Sequence, residues 1–172
     1  MPDGVFPVEV VTPEASLVET TARAVVLRSS DGDLTVLDGH TALVTDVVSG
    51  EVRIDQEDES VLRLAAHGGF LQVDTSHGAV EEAGAPAGLS TRMTMLFGVA
   101  ERSEDIDVER AQRAREAAQA QVEELQAAGA RAGAEPAEEG AALTPEQVAL
   151  VAAEAALRRA EVRLQVAGEA TS

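Results

Sequence analysis

Cysteine, lysine, tryptophan and tyrosine are missing from this 172-residue chain, and phenylalanine occurs three times. Without cysteine there is neither a disulfide scaffold nor a thiolate metal ligand. With aromatics at 2% of the chain, recognition of nucleic acid by base stacking is disfavoured, because that mode needs exposed rings. Without lysine no phosphate loop of the Gly-x-x-x-x-Gly-Lys type can be written. Positive charge is scarce altogether: 13 arginines face 31 carboxylates, for a net charge of −18. A field of that sign repels phosphodiester backbones and anionic headgroups, which argues against direct nucleic-acid or membrane-surface partners. No apolar run approaches the roughly 18 residues that read as a membrane span. Residues 1–10 carry Asp3 and Glu9 with no basic lead, so they do not read as a secretion signal.

What is present divides near residue 100. Before it, β-branched residues come in short runs separated by turn signals. Phe6, Val8 and Val10 alternate with Pro7, Glu9 and Val11. Val25, Val26 and Leu27 lead into Ser29-Ser30-Asp31-Gly32-Asp33, and Leu34 and Val36 follow in alternation. Asp-Gly between two such runs is a strong hairpin signal. Val52 and Ile54, then residues 61–66, then residues 70–73 behind Gly68-Gly69 continue the series, which predicts an antiparallel sandwich or barrel. Gly, Ala, Ser and Glu dominate between Val73 and Thr91, which predicts a long surface loop before a last strand over residues 92–100.

Beyond Asp105 the period is helical. Ala111, Ala114, Ala118, Val122 and Leu125 mark one narrow stripe on a helix predicted over residues 106–128. Gly129, Gly133, Pro136 and Gly140 are expected to stop it and make the connection over residues 126–143. Thr144, Pro145 and Gln147 then form a capping-box pattern. Leu150, Ala153, Leu157, Ala160, Leu164 and Ala167 form the seam of a second helix, and Gly168 is its expected stop. The predicted organisation is a β-sandwich over residues 1–102 followed by an antiparallel α-helical hairpin over 103–172. An alanine seam buries little apolar area, so such a hairpin docks weakly enough to be exchangeable. A permanently docked hairpin is the plainer alternative.

Candidate chemistry is thin. His40, His67 and His77 have no partner at metal-ligand spacing, so no metal site is expected and turn or interface roles fit them better. No Gly-x-Ser-x-Gly elbow is present, and 31 carboxylates make chance acid–base pairs certain. No catalytic residues are expected. Arg110, early in the first helix, and Arg159 and Arg163, four apart on the second, can converge when the hairpin folds. Such a cluster can grip phosphate through bidentate hydrogen bonds. The plainer reading pairs them with Glu116, Glu154 or Glu161 at the surface, and makes Asp107 a helix cap.

Taken in order, the motifs resemble the epsilon subunit of bacterial F-type ATP synthase. Residues 8–14, VEVVTPE, are similar to that family's first strand and turn. Residues 30–45, SDGDLTVLDGHTALVT, follow its S-x-G-x-[LMF]-x-[IV]-x-P-G-H-x-P-L-[LV]-T signature, with Asp38 and Ala42 in place of its two prolines. Residues 49–54 follow at the right distance, and residues 68–73, GGFLQV, match a glycine-led strand of the family. Residues 100–111 and 156–164 resemble the join into the first helix and the body of the second. The segments 75–90 and 126–143 are longer than the family norm.

The resemblance implies a sandwich of about ten strands in the central stalk, touching the gamma subunit and the c-ring. It implies c-ring contact through Asp33 and the Gly39-His40 turn. The helices are implied to reach the alpha and beta subunits transiently and to suppress ATP hydrolysis, or to fold back. No cofactor is required, but regulatory ATP is implied by an [IL]-D-x-x-R-A motif at Ile106, Asp107, Arg110 and Ala111, with Arg159 and Arg163. Ala117 replaces a further arginine. The implied location is the cytoplasmic face of the bacterial membrane, peripheral and without insertion. A free-standing ATP sensor or adaptor of the same architecture is the competing expectation.

Overall fold

A computed structural model describes residues 4–77, 89–132 and 143–169. The chain divides into two compact units between Asp105 and Ile106.

The first unit is built from strands whose side chains alternate. They are β1 (Phe6–Val11), β2 (Ser16–Ser29), β3 (Gly32–Leu37), β4 (Leu43–Val47), β5 (Gly50–Gln56), β6 (Val61–Ala66), β7 (Gly69–His77), β8 (Leu89–Phe97) and β9 (Ala100–Arg102). A short 3-10 turn, Ser103–Asp105, follows. One face of every long strand points to a single core that includes Phe6, Val8, Val25, Val36, Ile54, Leu64, Leu71, Met93 and Met95. This is the sandwich the alternation predicts: period-2 patterning buries one face and wets the other. Nine strands occur among the described residues, against the ten or so expected. β2 serves two runs at once. It pairs with β1 through Ser16 to Ala22 and with β3 through Ala24 to Ser29, and its register on β5 shifts between Ala22 and Ala24. The skipped Arg23 turns its guanidinium to the carbonyl of Glu57, 2.9 Å away.

Pairing is antiparallel except between β1 and β8, which run parallel. The loop predicted between Val73 and Thr91 is shorter than its composition indicates. β7 and β8 stay paired out to His77 opposite Leu89, and residues 78–88 lie outside the described residues. Thr75, Ser76, Ser90 and Thr91 are polar, but threonine fits a pleated ladder and polarity alone does not end a strand.

The Gly68-Gly69 pair marks the entry to β7, and each glycine answers a different constraint. Gly68 has φ +84°, a left-handed conformation that side chains resist. Gly69 has an ordinary backbone, but a Cβ there would lie 2.1 Å from the carbonyl oxygen of Leu96.

The second unit is the predicted hairpin, α1 (Val108–Ala132) and α2 (Pro145–Glu169). Thr144 and Gln147 form the capping box: the Thr144 N–H donates to Gln147 Oε1 at 2.9 Å, and the Gln147 N–H donates to Thr144 Oγ1 at 3.3 Å. Gly129 alone does not stop α1, which runs through it because a single glycine costs a helix only about 1 kcal/mol against alanine; Gly133, Pro136 and Gly140 lie outside the described residues, and α2 is described to one residue past Gly168. Ala111, Ala118 and Val122 are buried on α1, and Ala153 and Ala160 on α2, as the seams predict; Ala114 lies at the edge of its stripe and is exposed. Val162 and Val166 are buried as well, outside the predicted seam.

Candidate functional site

The hairpin between β2 and β3 is tighter than the Asp-Gly reading. Ser29 pairs with Gly32, so Ser30 and Asp31 make the turn and Gly32, at φ +130°, opens β3. Ser29 Oγ donates to the Gly32 carbonyl at 3.1 Å, and Ser30 Oγ donates to Asp46 Oδ1 at 2.7 Å. Asp33 lies next along β3, opposite Arg28, with 3.8 Å between its Oδ1 and the arginine Nε. Both side chains are mostly exposed, so this pair contributes well under ~1 kcal/mol and leaves the carboxylate available.

The Gly39-His40 turn sits at the other end of β3. That strand spans roughly 16 Å at about 3.3 Å per residue. The two regions expected to touch one partner are therefore separated by a strand length. The turn itself is well anchored: the Gly39 N–H donates to Thr91 Oγ1 at 2.8 Å, and Thr75 Oγ1 donates to the His40 carbonyl at 2.6 Å.

His67 acts as a turn fastener, as expected of a histidine beside glycines. Its N–H donates to the Val99 carbonyl at 3.0 Å, and its Nδ1 lies 3.3 Å from Ser49 Oγ.

A third feature escaped the sequence reading. Val44 is 71% exposed, Phe70 61% and Leu96 51%. Register brings them together: Phe70 stands opposite Leu96, Leu96 opposite Val11, and Val44 is diagonal to Phe70 on β4. All four share the outward face of β4, β7, β8 and β1, bordered by Glu9, Asp46, Gln72 and Thr94. A signal for this face exists in the sequence. Leu43-Val44, Phe70-Leu71 and Met95-Leu96-Phe97 place apolar residues at both phases of a strand, and one phase must then face out. Contiguous exposed apolar residues of this kind mark protein-docking surfaces.

In the hairpin, Asp107 caps α1. Its Oδ1 accepts the Arg110 N–H at 2.9 Å and its carbonyl accepts the Ala111 N–H at 2.9 Å. Replacing it by alanine is expected to cost the hairpin about 1 kcal/mol, read as helicity lost on heating by circular dichroism. Ile106 and Ala111 are buried. Arg110 and Arg159 are exposed and neither has an ion-pair partner among the described residues, so the surface pairs with Glu116, Glu154 or Glu161 are not formed; Arg163 is half-buried. A groove of about 570 Å³ runs between the start of α1 and the end of α2, confirming that the helices are antiparallel. Val108, Gln112, Arg115, Glu116, Leu164, Ala167 and Gly168 line it, so none of the six expected nucleotide residues does.

Ser60 donates its hydroxyl and N–H to Asp58 and holds that carboxyl below its usual range. Asp58 sits on the exposed β5–β6 turn, where a stabilised carboxylate makes a solvated corner.

Residues 5–80 match the model for the β-sandwich domain of the ATP synthase delta/epsilon chain. The chain is 34% identical to the ATP synthase epsilon chain of Brevibacillus brevis over 117 residues, 68% of this chain and 77% of that one. It is 37% identical to the ATP synthase epsilon chain of Desulforudis audaxviator over 112 residues, 65% of this chain and 70% of that one. A chain in the cryo-EM structure of the Euglena gracilis mitochondrial ATP synthase, with OSCP, F1 and c-ring, superposes with a TM-score of 0.63 at 18% identity, covering 96% of this chain and 80% of that one. At that identity the likeness speaks for the fold alone.

Proposed function

The chain belongs to the ATP synthase epsilon-chain family, non-catalytic subunits of the central stalk, and from that premise we propose that its sandwich couples the rotor while its hairpin restrains ATP hydrolysis. The observation that carries the coupling role is the outward row Val11, Phe70 and Leu96 with Val44 beside it. A gamma subunit laid on that face removes the apolar surface from water, at about 25 cal/mol per Å². β3 then lies lengthwise toward the c-ring, with Asp33 at one end and Gly39-His40 at the other. The chain is held at the cytoplasmic face of the membrane by these partners. Among the described residues no helix is long and apolar enough to cross a bilayer.

The restraining role rests on the hairpin's build. Seams of alanine with half-buried leucines release little free energy on docking, so the helices can exchange between a folded-back state and one that reaches the alpha and beta subunits transiently. ATP would be held by Ile106, Asp107, Arg110, Ala111, Arg159 and Arg163. Arg110 and Arg159 suit phosphate because both are exposed and unpaired among the described residues. Titration calorimetry with ATP tests this, with Arg110→Ala and Arg159→Ala as controls; no heat from the unmodified chain removes the site.

Ending the chain after Asp105 tests the division of labour. The shortened chain is expected to assemble with gamma and c-ring, because its core lies within the first unit, and ATP hydrolysis by the membrane complex is expected to rise severalfold. Failure to assemble with the c-ring, or unchanged hydrolysis, would overturn the proposal.

A further inference from the structure

The turn over residues 38–42, Asp-Gly-His-Thr-Ala, contains no proline. Proline stiffens a turn by locking φ near −65°, and that stiffness is missing here. Gly39 adds freedom, with φ +79°. A docking turn of this composition would have to be ordered at the moment of binding, at a cost in conformational entropy.

The structure supplies another source of order. Thr75 on β7 and Thr91 on β8 are directly opposite each other. They follow Leu71 and Val73, and precede Met93 and Met95, in the inward phase of those strands, and Thr91 is only 1% exposed. Their hydroxyls clamp the turn from both sides. Thr91 Oγ1 accepts the Gly39 N–H at 2.8 Å, and Thr75 Oγ1 donates to the His40 carbonyl at 2.6 Å. The His40 N–H donates to the Leu37 carbonyl at 3.1 Å, and its ring Nδ1 lies 2.8 Å from the Thr41 carbonyl. A carbonyl oxygen can only accept, so Nδ1 carries the proton. In the neutral ring Nε2 is then a bare acceptor, and it has no hydrogen-bond partner among the described residues.

We propose that Thr75 and Thr91 are the positioning residues of this turn, holding His40 so that Nε2 accepts a hydrogen bond from a cationic donor, an arginine or lysine, on the partner surface. The inference rests on the reading that the turn is a docking point. A cationic donor is the occupant that a chain of net charge −18 attracts. The clamp does in advance what a flexible turn would do on contact, so its value is read in affinity as well as in stability.

The test adds full-length chain back to membrane vesicles whose own synthase lacks it, and follows ATP-driven proton pumping against chain concentration. His40→Ala is expected to raise the half-saturating concentration by about tenfold. His40→Gln, whose amide oxygen reaches near the Nε2 position, should raise it less than His40→Asn, whose amide reaches only to Nδ1. Thr91→Val is expected to raise it by roughly fivefold alone and by no significant factor in a His40→Ala background, because the two act through one contact. Thr91→Ser restores the hydroxyl and should recover the loss. Thr75→Val, at a less buried position, repeats the cycle if Thr91→Val melts too low to use. A threonine effect that persists undiminished when His40 is already alanine overturns the positioning role and leaves a merely structural one. A His40→Ala chain that saturates like the unmodified protein overturns the docking reading itself.

Discussion

Phe70→Asp combined with Leu96→Asp is expected to abolish incorporation of the chain into the synthase while lowering its own melting temperature by roughly 10 °C and leaving it folded. Both residues point away from the core, at 61% and 51% exposure, and stand opposite each other on β7 and β8. In the free chain an aspartate at either position meets water, so the cost is the poor strand preference of aspartate, up to about 1 kcal/mol each, with a few tenths more, roughly, for two carboxylates facing each other across the ladder. Against a partner the balance reverses. Each substitution removes an apolar anchor and forces a carboxylate into a dry contact, for which about 2 kcal/mol or more apiece is typical. Two such losses weaken binding by roughly a thousandfold. The measurement is co-purification of gamma and c-ring with the variant, beside a thermal melt of the isolated chain. Normal incorporation of a folded double variant would show that this face meets solvent in the complex.

Gly69→Ala carries the largest expected cost to folding. The added methyl would sit 2.1 Å from the Leu96 carbonyl oxygen, 3.0 Å from its carbon and 2.7 Å from Phe97 Cδ1. Two of those atoms belong to backbone that is paired to β7 in register, Gly69 opposite Phe97, so no side-chain rotation relieves the clash. The strands must separate at that pair, which also disturbs Phe97 in the core. Overpacking of this kind costs about 3 kcal/mol, at the upper end of its usual range. For a unit of this size the melting temperature should fall by roughly 10–20 °C. Gly68→Ala should cost less, about 1–2 kcal/mol, because its burden is the left-handed φ of +84° and the nearest atom to a new Cβ is 3.9 Å away. A Gly69→Ala chain that melts with the unmodified protein would overturn the close-packing explanation of the second glycine.

The readable features were those whose physics is local. Thr144, Pro145 and Gln147 announced the start of α2 because a capping box is made within four residues, and both its hydrogen bonds are present. The alternation of Phe6, Val8 and Val10 marked β1, and the alanine seams marked the hairpin, because periods of 2 and 3.6 belong to single elements. Local signs mislead where they are weak or where register overrides them. Gly129 reads as a helix stop, yet one glycine costs a helix only about 1 kcal/mol and α1 runs through it. The Ser/Thr arms of β7 and β8 read as loop, yet the ladder they share carries them on as strand.

The sequence by itself determined a strand-rich half and a helical half, their order, the absence of catalytic machinery of known pattern, and the family. Each follows from period, composition or motif, which a chain carries before it folds. Tertiary structure alone decided that Asp33 and His40 lie at opposite ends of β3, that Val11, Val44, Phe70 and Leu96 form one face, and that Thr91 reaches Gly39 across 52 residues. Those facts depend on strand register, and register is chosen by the whole core at once: slipping one strand by a single residue would turn its buried face out to water.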